Sequence, residues 1–175
     1  WTCAKYLLEF AFREDGNYAY HPSNRWDFYP EVSAGRRISE EPFMKERVPV
    51  ISNLKFDASY GILGQDAAAP FQYIVGYNLS GGGQYEFANG ALTTGAASPN
   101  IVNEQLTWTR SKTLNIGMDL GLWKNKLTLE ADVYRRDMEG LPAYRNLTLP
   151  NTFGASLPQE NLNSARIKGI ELTVG

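Results

Sequence analysis

Residues 114–136 alternate between apolar and polar side chains with a period of two, which predicts a β-hairpin with two different faces. Even-numbered positions are apolar on the first strand, and odd-numbered positions are apolar on the second. Placing the turn at Lys124 and Asn125 fixes a register that a one-residue slip would destroy on both faces. The predicted cross-strand pairs are Leu122–Leu127, Leu120–Leu129, Met118–Ala131 and Ile116–Val133.

Further strands are predicted at residues 5–13, 26–37, 54–61 and 166–174, with an extra strand at residues 71–77. The apolar side chains are Tyr6, Leu8, Phe10 and Phe12 in the first strand and Leu54, Phe56, Ala58 and Tyr60 in the third. We expect these faces to lie on the same side of one antiparallel sheet as the apolar face of the hairpin. Ser39, followed by two glutamates, predicts the N-cap of a short helix at residues 40–47.

The connections between these strands differ in length on the two sides of the sheet. Residues 14–25, 64–107 and 140–163 form long connections on one side, whereas the turn at 124–125 and the compact segment 39–53 lie on the other. A sheet that is apolar on one face and polar on the other fits a soluble sandwich or a membrane barrel with a wet lumen. The asymmetry of the loops favours the barrel, because outer-membrane barrels have short periplasmic turns and long extracellular loops.

Composition excludes several functional classes. The 17 basic and 19 acidic side chains give no reason to expect a nucleic-acid partner. Cys3 is the only cysteine and His21 the only histidine, so we expect no internal disulfide and no zinc site of the usual kind. The chain shows no signal-peptide pattern after Trp1 and no apolar stretch long enough for a transmembrane helix.

Several short motifs, in their order along the chain, resemble the barrel of SusC/RagA-type TonB-dependent transporters. In the first third these are Asp15-Gly16, Asn24-Arg25-Trp26, Tyr29-Pro30-Glu31-Val32-Ser33-Ala34-Gly35, Ile38-Ser39-Glu40-Glu41 and Leu54-Lys55-Phe56-Asp57-Ala58-Ser59-Tyr60-Gly61. Later motifs are Leu106-Thr107-Trp108, residues 115–122, residues 127–132, Tyr134-Arg135-Arg136 and Gly169-Ile170-Glu171-Leu172. The resemblance covers nearly the whole chain except residues 64–103.

The resemblance implies an all-β fold: an antiparallel, up-and-down transmembrane β-barrel segment of about six strands of a larger barrel, with long extracellular loops. Residues 1–175 would be part of the barrel domain of a TonB-dependent receptor, with the plug domain absent from this chain. The implied location is the outer membrane of a Gram-negative, Bacteroidetes-type cell. The implied activity is import of oligosaccharides or peptides together with a SusD-like surface lipoprotein. The implied partners also include outer-membrane lipid and, through the absent plug, the TonB complex. The function implied by the resemblance needs no bound cofactor.

Two sets of residues are candidates for function. Loop aromatics are candidates for stacking on sugar rings or peptide side chains, although such rings more often pack loops onto each other; they are Tyr73, Tyr77, Tyr85, Phe87, Tyr144 and Phe153. The predicted register also sets Asp119 opposite Glu130, with Asp132 one step along, and such like charges need basic groups within reach. Lys55 and Arg136 are the local basic candidates, and we expect the acidic cluster to contact the plug. Trp108, at the end of the longest connection, is expected in an interfacial girdle.

The alternative interpretation comes from another class of protein. A soluble β-sandwich that binds carbohydrate would also show alternating strands and aromatic loops, and an all-β glycosidase would add a carboxylate pair such as Glu40 and Glu41. Adjacent residues diverge on a helix or a strand, so this pair is better explained as first-turn charge at a helix start. Neither alternative accounts for the asymmetry of the loops, and we expect no catalytic residue.

Overall fold

The computed structural model describes residues 5–77, 79, 83–87, 90–97, 99, 101–145 and 155–175, and its main feature is a six-stranded antiparallel sheet. Cys3 and the candidate Phe153 lie outside the described residues. The strands are β1 (Tyr6–Gly16), β2 (Trp26–Arg37), β3 (Ile51–Gln65), β4 (Gln84–Glu86), β5 (Leu92–Thr94), β6 (Thr109–Leu122), β7 (Leu127–Tyr144) and β8 (Gln159–Val174). The large sheet has the order β1-β2-β3-β6-β7-β8, so its topology is up-and-down, and β4 pairs with β5 separately.

The hairpin of β6 and β7 has the register that the alternation predicts. Leu122 lies opposite Leu127, and the pairing continues without a break to Arg110 and Glu139. The turn at residues 123–126 contains three non-glycine residues with positive φ, and the N–H of Lys126 donates to the carbonyl of Leu122 at 3.0 Å. The other predicted strands of the large sheet also form, and β2 has the predicted bounds.

Residues paired across neighbouring strands form rows that run across all six strands. The side chains of one row share a face of the sheet, and adjacent rows alternate between the two faces. The central row of the apolar face contains Leu8, Ala34, Ala58, Ile116, Val133 and Ile170. The adjacent row on the other face contains Leu7, Gly35, Asp57, Gly117, Asp132 and Glu171. The apolar faces of β1, β3, β6 and β7 thus share one side, as predicted.

The apolar face is exposed along most of its length. On the inner strands β6 and β7, Ile116 is 53% exposed and Val133 is 54% exposed, and Ile170 on the edge strand β8 is 77% exposed. In water, an uncovered apolar surface of this extent would be unfavourable, and large exposed apolar patches mark protein or membrane contacts. No second sheet covers this face within the described part of the chain, which contradicts a β-sandwich there.

The apolar positions form a band that crosses the rows diagonally. In the row on the short-turn side of Ala34, the β2 residue is the charged Arg36, whereas the β8 residue is Leu172. In the row on the long-loop side the pattern is reversed, because β2 contributes Val32 and β8 contributes Lys168. A diagonal band is expected if the strands cross a bilayer with the tilt of about 35–45° found in outer-membrane barrels.

The compact segment between β2 and β3 contains a 3₁₀ turn, Ile38–Glu40, and the short helix α1, Pro42–Arg47. The prediction that Ser39 caps a helix starting at residue 40 was wrong, because Glu41 is the N-cap residue and Pro42 occupies the first turn. Proline favours that position, since its fixed φ suits a helix and its missing N–H is not needed there. The helices among the described residues are too short or too polar to cross a bilayer.

The predicted strand at residues 71–77 does not form. Phe71 has a φ of 58°, in the left-handed region, and its N–H donates to the carbonyl of Ala19 at 3.0 Å. A residue in this conformation interrupts an extended strand, because it turns the backbone away from the β region. The long connection instead forms the two short strands β4 and β5 further along.

The buried cluster of the described residues lies where the long connections meet the sheet. Trp108 is 9% exposed, its ring lies 5.5 Å from that of Tyr20 and 6.1 Å from that of Tyr29, and Leu106 completes the cluster. The indole Nε1 donates to the carbonyl of Arg25 at 3.0 Å. The predicted girdle role of Trp108 was therefore wrong. Its ring packs inside the buried cluster and its indole N–H is hydrogen-bonded to the β1–β2 connection, so neither faces lipid headgroups.

We expect Gly64→Ala to lower the free energy of unfolding of the full-length protein by about 1–3 kcal/mol, the usual cost of overpacking. A Cβ at Gly64 would overlap the ring of Tyr29, which holds the buried cluster. Thermal unfolding in detergent measures the effect. Gly76→Ala is the matched control, since a Cβ there meets no atom within 4 Å. Equal melting temperatures for the two variants would contradict this prediction.

Candidate functional site

The polar face of the sheet concentrates carboxylates near the short-turn end. Asp119 lies opposite Glu130, and Asp132 lies opposite Glu171 in the next row. Asp57 belongs to that same row through its pairing with Gly117. We call this set the acidic face; it comprises Asp57, Asp119, Glu130, Asp132 and Glu171.

Lys55 is the basic group that the acidic face holds. Its ammonium group lies 2.8 Å from the Asp57 carboxylate and 3.1 Å from the Asp119 carboxylate. The structure thus brings Lys55 to the cluster, as predicted. Arg136 is directed elsewhere, because its Nε donates to Thr113 Oγ1 at 3.4 Å. Arg37 continues the row of Lys55 and Asp119 on β2, so two basic groups stand against five carboxylates and the acidic face keeps a net negative charge.

A glycine lets two of these carboxylates approach each other. A Cβ on Gly117 would lie 2.8 Å from Asp132 Oδ1 and 3.1 Å from Asp57 Oδ2, so a side chain there would crowd both groups. Asn115 donates to Asp132 Oδ1 at 3.0 Å and supplies one hydrogen bond to that carboxylate. Among the described residues, no group of three His, Cys, Asp or Glu side chains is arranged to hold a metal ion.

A second candidate site is a cleft of about 300 Å³ at the long-loop end of the sheet, which we call the loop-end cleft. It is lined by Pro70, Phe71, Gln72, Ile74, Ile101, Val102, Tyr144, Ser156, Leu157 and Pro158. Polar contacts hold its walls together: Gln159 N donates to Gln72 Oε1 at 3.0 Å, and Asn103 Nδ2 donates to the Gln159 carbonyl at 2.7 Å. The lining thus combines apolar side chains with a substantial polar surface, and ligand sites use such polar groups to orient the ligand.

The predicted loop aromatics are not gathered into one site. Tyr144 lines the loop-end cleft, whereas Tyr73 packs edge-on against His21 with ring centroids 5.6 Å apart. Tyr85 and Phe87 contact each other at 5.0 Å. Tyr77 is 68% exposed. Among the candidates that the structure describes, Tyr144 is the one that lines the loop-end cleft.

The two candidate sites lie far apart along the same strand. Glu130 and Tyr144 both belong to β7, and fourteen residues of extended chain span about 45 Å. A ligand held by the loop-end cleft would not touch the acidic face. The two sites therefore need separate functional interpretations.

Hydrogen bonds fix the loops above the sheet. Tyr20 Oη donates to Asp66 Oδ1 at 2.8 Å, and Asn17 Nδ2 donates to the other oxygen of the same carboxylate. Burial, together with the hydrogen bond to Asp66, raises the pKa of Tyr20 above its ordinary value, so the hydroxyl remains a donor. Arg110 donates to both oxygens of Asp27, at 2.8 and 2.5 Å. No local pattern predicts these contacts, because each joins residues separated by more than 40 positions.

The carboxylates considered for a glycosidase are engaged in ion pairs. Glu40 pairs with Lys45 at 2.6 Å, and Glu41 pairs with Arg36 at 2.9 Å. The hydrogen bond from Lys45 lowers the pKa of Glu40, and the hydrogen bond from Arg36 lowers the pKa of Glu41. An acid catalyst of glycoside hydrolysis needs a raised pKa, so this pair does not suit that role.

Comparison with known proteins relates the chain to one group of receptors. A sequence profile of the family described as "TonB dependent receptor-like, beta-barrel" matches residues 53–175. TonB-dependent receptor SusC of Bacteroides thetaiotaomicron is 31% identical over 97% of this chain and 17% of its own length. TonB-dependent receptor P39 of Formosa agariphila is 32% identical over 98% of this chain and 16% of its own length. The chain therefore spans about a sixth of the length of these curated relatives.

Solved structures show the same fold. The RagAB peptide importer in its "closed-closed" state matches 97% of this chain and 18% of its own chain, with a TM-score of 0.76 and 22% identity. The "open-open" state of that importer matches 97% of this chain and 17% of its own chain, with a TM-score of 0.75 and 21% identity. At these identities the match supports the fold and leaves the ligand open.

Proposed function

Because the chain belongs to the family of TonB-dependent receptor-like β-barrels, we propose that it forms part of the wall of an outer-membrane importer. The importer takes up oligosaccharides or peptides with a SusD-like surface lipoprotein as partner. Members of this family are transporters and not enzymes, which agrees with the expectation of no catalytic residue. The observation that carries the proposal is the two-faced sheet, with an apolar band for lipid and a polar, charged face for a lumen.

The sheet needs further strands to close a barrel. Among the described residues, β1 and β8 are edge strands, and unpaired edges are not tolerated in the hydrocarbon of a bilayer. We therefore assign residues 1–175 to part of the barrel domain. The plug and the contact with the TonB complex belong to other parts of the protein. The location is the outer membrane of a Bacteroidetes-type cell, where SusC of Bacteroides thetaiotaomicron provides a precedent by family.

The long connections face outward and form part of the ligand vestibule. Tyr144 is the loop aromatic with the strongest structural support as a ligand contact, because it lines the loop-end cleft beside Phe71. Tyr73, Tyr77, Tyr85, Phe87 and Phe153 remain candidates of the same class. The solved relatives are named a peptide importer, and the proposed substrate classes are oligosaccharide and peptide.

The acidic face lies toward the periplasmic end of the wall, far from the loop-end cleft, and we assign Asp119, Glu130 and Asp132 to plug anchoring. Two pairs of carboxylates lie opposite each other, and like charges opposite one another are destabilising. Lys55 compensates Asp57 and Asp119 only. Basic groups from a plug would compensate the remaining carboxylates, as intramembrane charges usually pair with one another.

Deletion of the gene for the whole protein should abolish uptake of its oligosaccharide or peptide substrate, and affinity purification of the whole protein should recover a surface lipoprotein. Uptake of labelled oligosaccharide and peptide mixtures by intact cells measures the first effect, and a plasmid copy of the gene should restore it. A dissipated proton gradient should stop uptake without stopping surface binding, because TonB-linked transport needs energy. Recovery of the whole protein in the soluble fraction would contradict the proposal.

Tyr144→Ala in the full-length protein should weaken ligand capture about three- to tenfold, the scale of one aromatic stacking contact. Calorimetric titration with the substrate found in the uptake experiment measures the affinity. Phe87→Ala is the comparison, since Phe87 is 76% exposed and lies outside the loop-end cleft. A loss of affinity in Phe87→Ala alone would indicate that the ligand contacts the β4–β5 region and not the loop-end cleft. Unchanged affinity in both variants would remove these residues from the vestibule.

The double variant Asp119→Asn with Glu130→Gln should lower the melting temperature of the full-length protein and leave ligand capture intact. If the two carboxylates only repelled each other, removing their charges would raise the melting temperature. The sign of the shift therefore tests plug anchoring. Glu46→Gln with Glu104→Gln removes two exposed charges away from the acidic face and should change little. An unchanged melting temperature together with lost ligand binding would contradict plug anchoring and indicate that the acidic face contacts the substrate.

A further inference from the structure

Cations gather on the apolar side of the sheet, just beyond the apolar band at the long-loop end. They lie on β6, β7 and β8 in the rows above Ile116, Val133 and Ile170, and the register points them to the same face as those residues. We call them the cationic cluster; it comprises Lys112, Arg135, Arg166 and Lys168. The same face contains two acids, Asp137 in these rows and Glu139 in the next row opposite Arg110, so the cluster has a net positive charge.

The two acids leave part of the cluster without a counterion. Lys112 pairs with Glu139 at 2.6 Å. Asp137 is shared by Arg135 at 2.8 Å and Arg166 at 2.5 Å. Within the described residues, the structure shows no ion pair for Lys168.

Arg135 and Lys168 also lie directly opposite each other across β7 and β8. Two like charges in this position repel, and an anion between them would remove the repulsion. Asp137 already pairs with Arg135, so an anion from outside the sheet would offset the charge of Lys168.

An apolar groove continues from this pair of cations toward the middle of the band. It has a volume of about 620 Å³ and is lined by Leu114, Ile116, Val133, Tyr134, Arg135, Lys168, Gly169 and Ile170. Aliphatic side chains form most of the groove, and the two cations stand at one end. An amphiphile fits this arrangement, because its anionic head would contact the two cations and its hydrocarbon tail would lie along the aliphatic side chains.

We propose that the cationic cluster and this groove bind a phosphorylated glycolipid of the outer leaflet. One phosphate lies between Arg135 and Lys168, and an acyl chain lies in the groove against Val133 and Ile170. The inference rests on the proposed function, which turns this face toward the bilayer and the long connections toward the outside. It adds a specific lipid site to the wall.

A lipid suits this surface better than a docked protein does. The groove is continuous with the apolar band, so any occupant shares the hydrocarbon layer with it. The cations stand where that band ends, which is the level of lipid headgroups for strands that cross the membrane. Anionic headgroups attract basic residues at this level.

The experiment uses the full-length protein, purified in detergent, delipidated and checked for native resistance to unfolding by SDS. Native mass spectrometry measures binding of bisphosphorylated lipid A, of the same lipid without phosphates, and of inorganic phosphate. The wild-type protein should bind the phosphorylated lipid at least tenfold more tightly than the dephosphorylated lipid. Arg135→Gln with Lys168→Gln should remove about tenfold of that affinity and leave the dephosphorylated lipid unaffected.

Matched variants separate this site from general charge effects. Lys124→Gln with Lys126→Gln removes the same charge at the opposite end of the barrel wall and should retain lipid binding. Lys168→Arg should also retain it, which controls for folding. Equal affinity for the two lipids would overturn the proposal, as would equal losses in the two double variants.

Two further results would overturn the proposal in other ways. Displacement of the lipid by inorganic phosphate alone would mean that the site recognises the ion only. A protein that copurifies with the wild type and is lost from the Arg135 and Lys168 double variant would identify a protein surface instead. Failure of the proposed function has a different signature, since the whole protein would then be absent from the outer membrane.

Discussion

A single unbroken hydrogen-bonding register through the middle of six strands decides which partner each side chain meets. Side chains alternate between two faces, so the register that places Ala58, Ile116 and Val133 in one apolar row also places Asp57, Gly117 and Asp132 in a polar one. A slip of one residue in any strand would exchange these rows and set carboxylates against lipid. The wall, the acidic face and the cationic cluster all depend on this constraint.

The register becomes irregular only toward the ends of the strands, and polar side chains compensate there. The β7–β8 pairing shifts around Leu141, beside Gly140 with its φ of 74°. Asn161 Nδ2 donates to the carbonyls of Gly140 and Thr107, at 2.6 and 2.9 Å, so the disturbed backbone gains partners and the long connection is tied to the wall. The loops are thus attached through a few specific contacts above a regular sheet.

Local pattern was enough to predict the six strands of the large sheet and the β6–β7 register, because a short turn leaves few ways to pair two alternating strands. It could not predict that Asp57 joins the acidic face, since a connection of more than 40 residues separates β3 from β6. Trp108 and Phe71 were misassigned for a related reason. Their environments come from Tyr20 and Ala19, which lie far away in the chain. The position of Tyr144 in a cleft likewise depends on loops whose fold has no sequence period.

Because the apolar band crosses the rows diagonally, residues that lie opposite one another in the sheet do not lie at the same depth in the bilayer. Ala34 and Ile170 occupy one row, yet Ala34 lies at the short-turn end of the band on its strand and Ile170 lies at the long-loop end. The cost of a lysine or arginine on the lipid face of such a wall falls from about 2–4 kcal/mol at the midplane to about 0–1 kcal/mol near the interfaces. Tolerance to charge should therefore follow lines of equal depth that cut across the hydrogen-bonded rows. The range of positions at which a strand tolerates a charged residue on this face should therefore shift from one strand to the next, because the tilt sets the depth of each position.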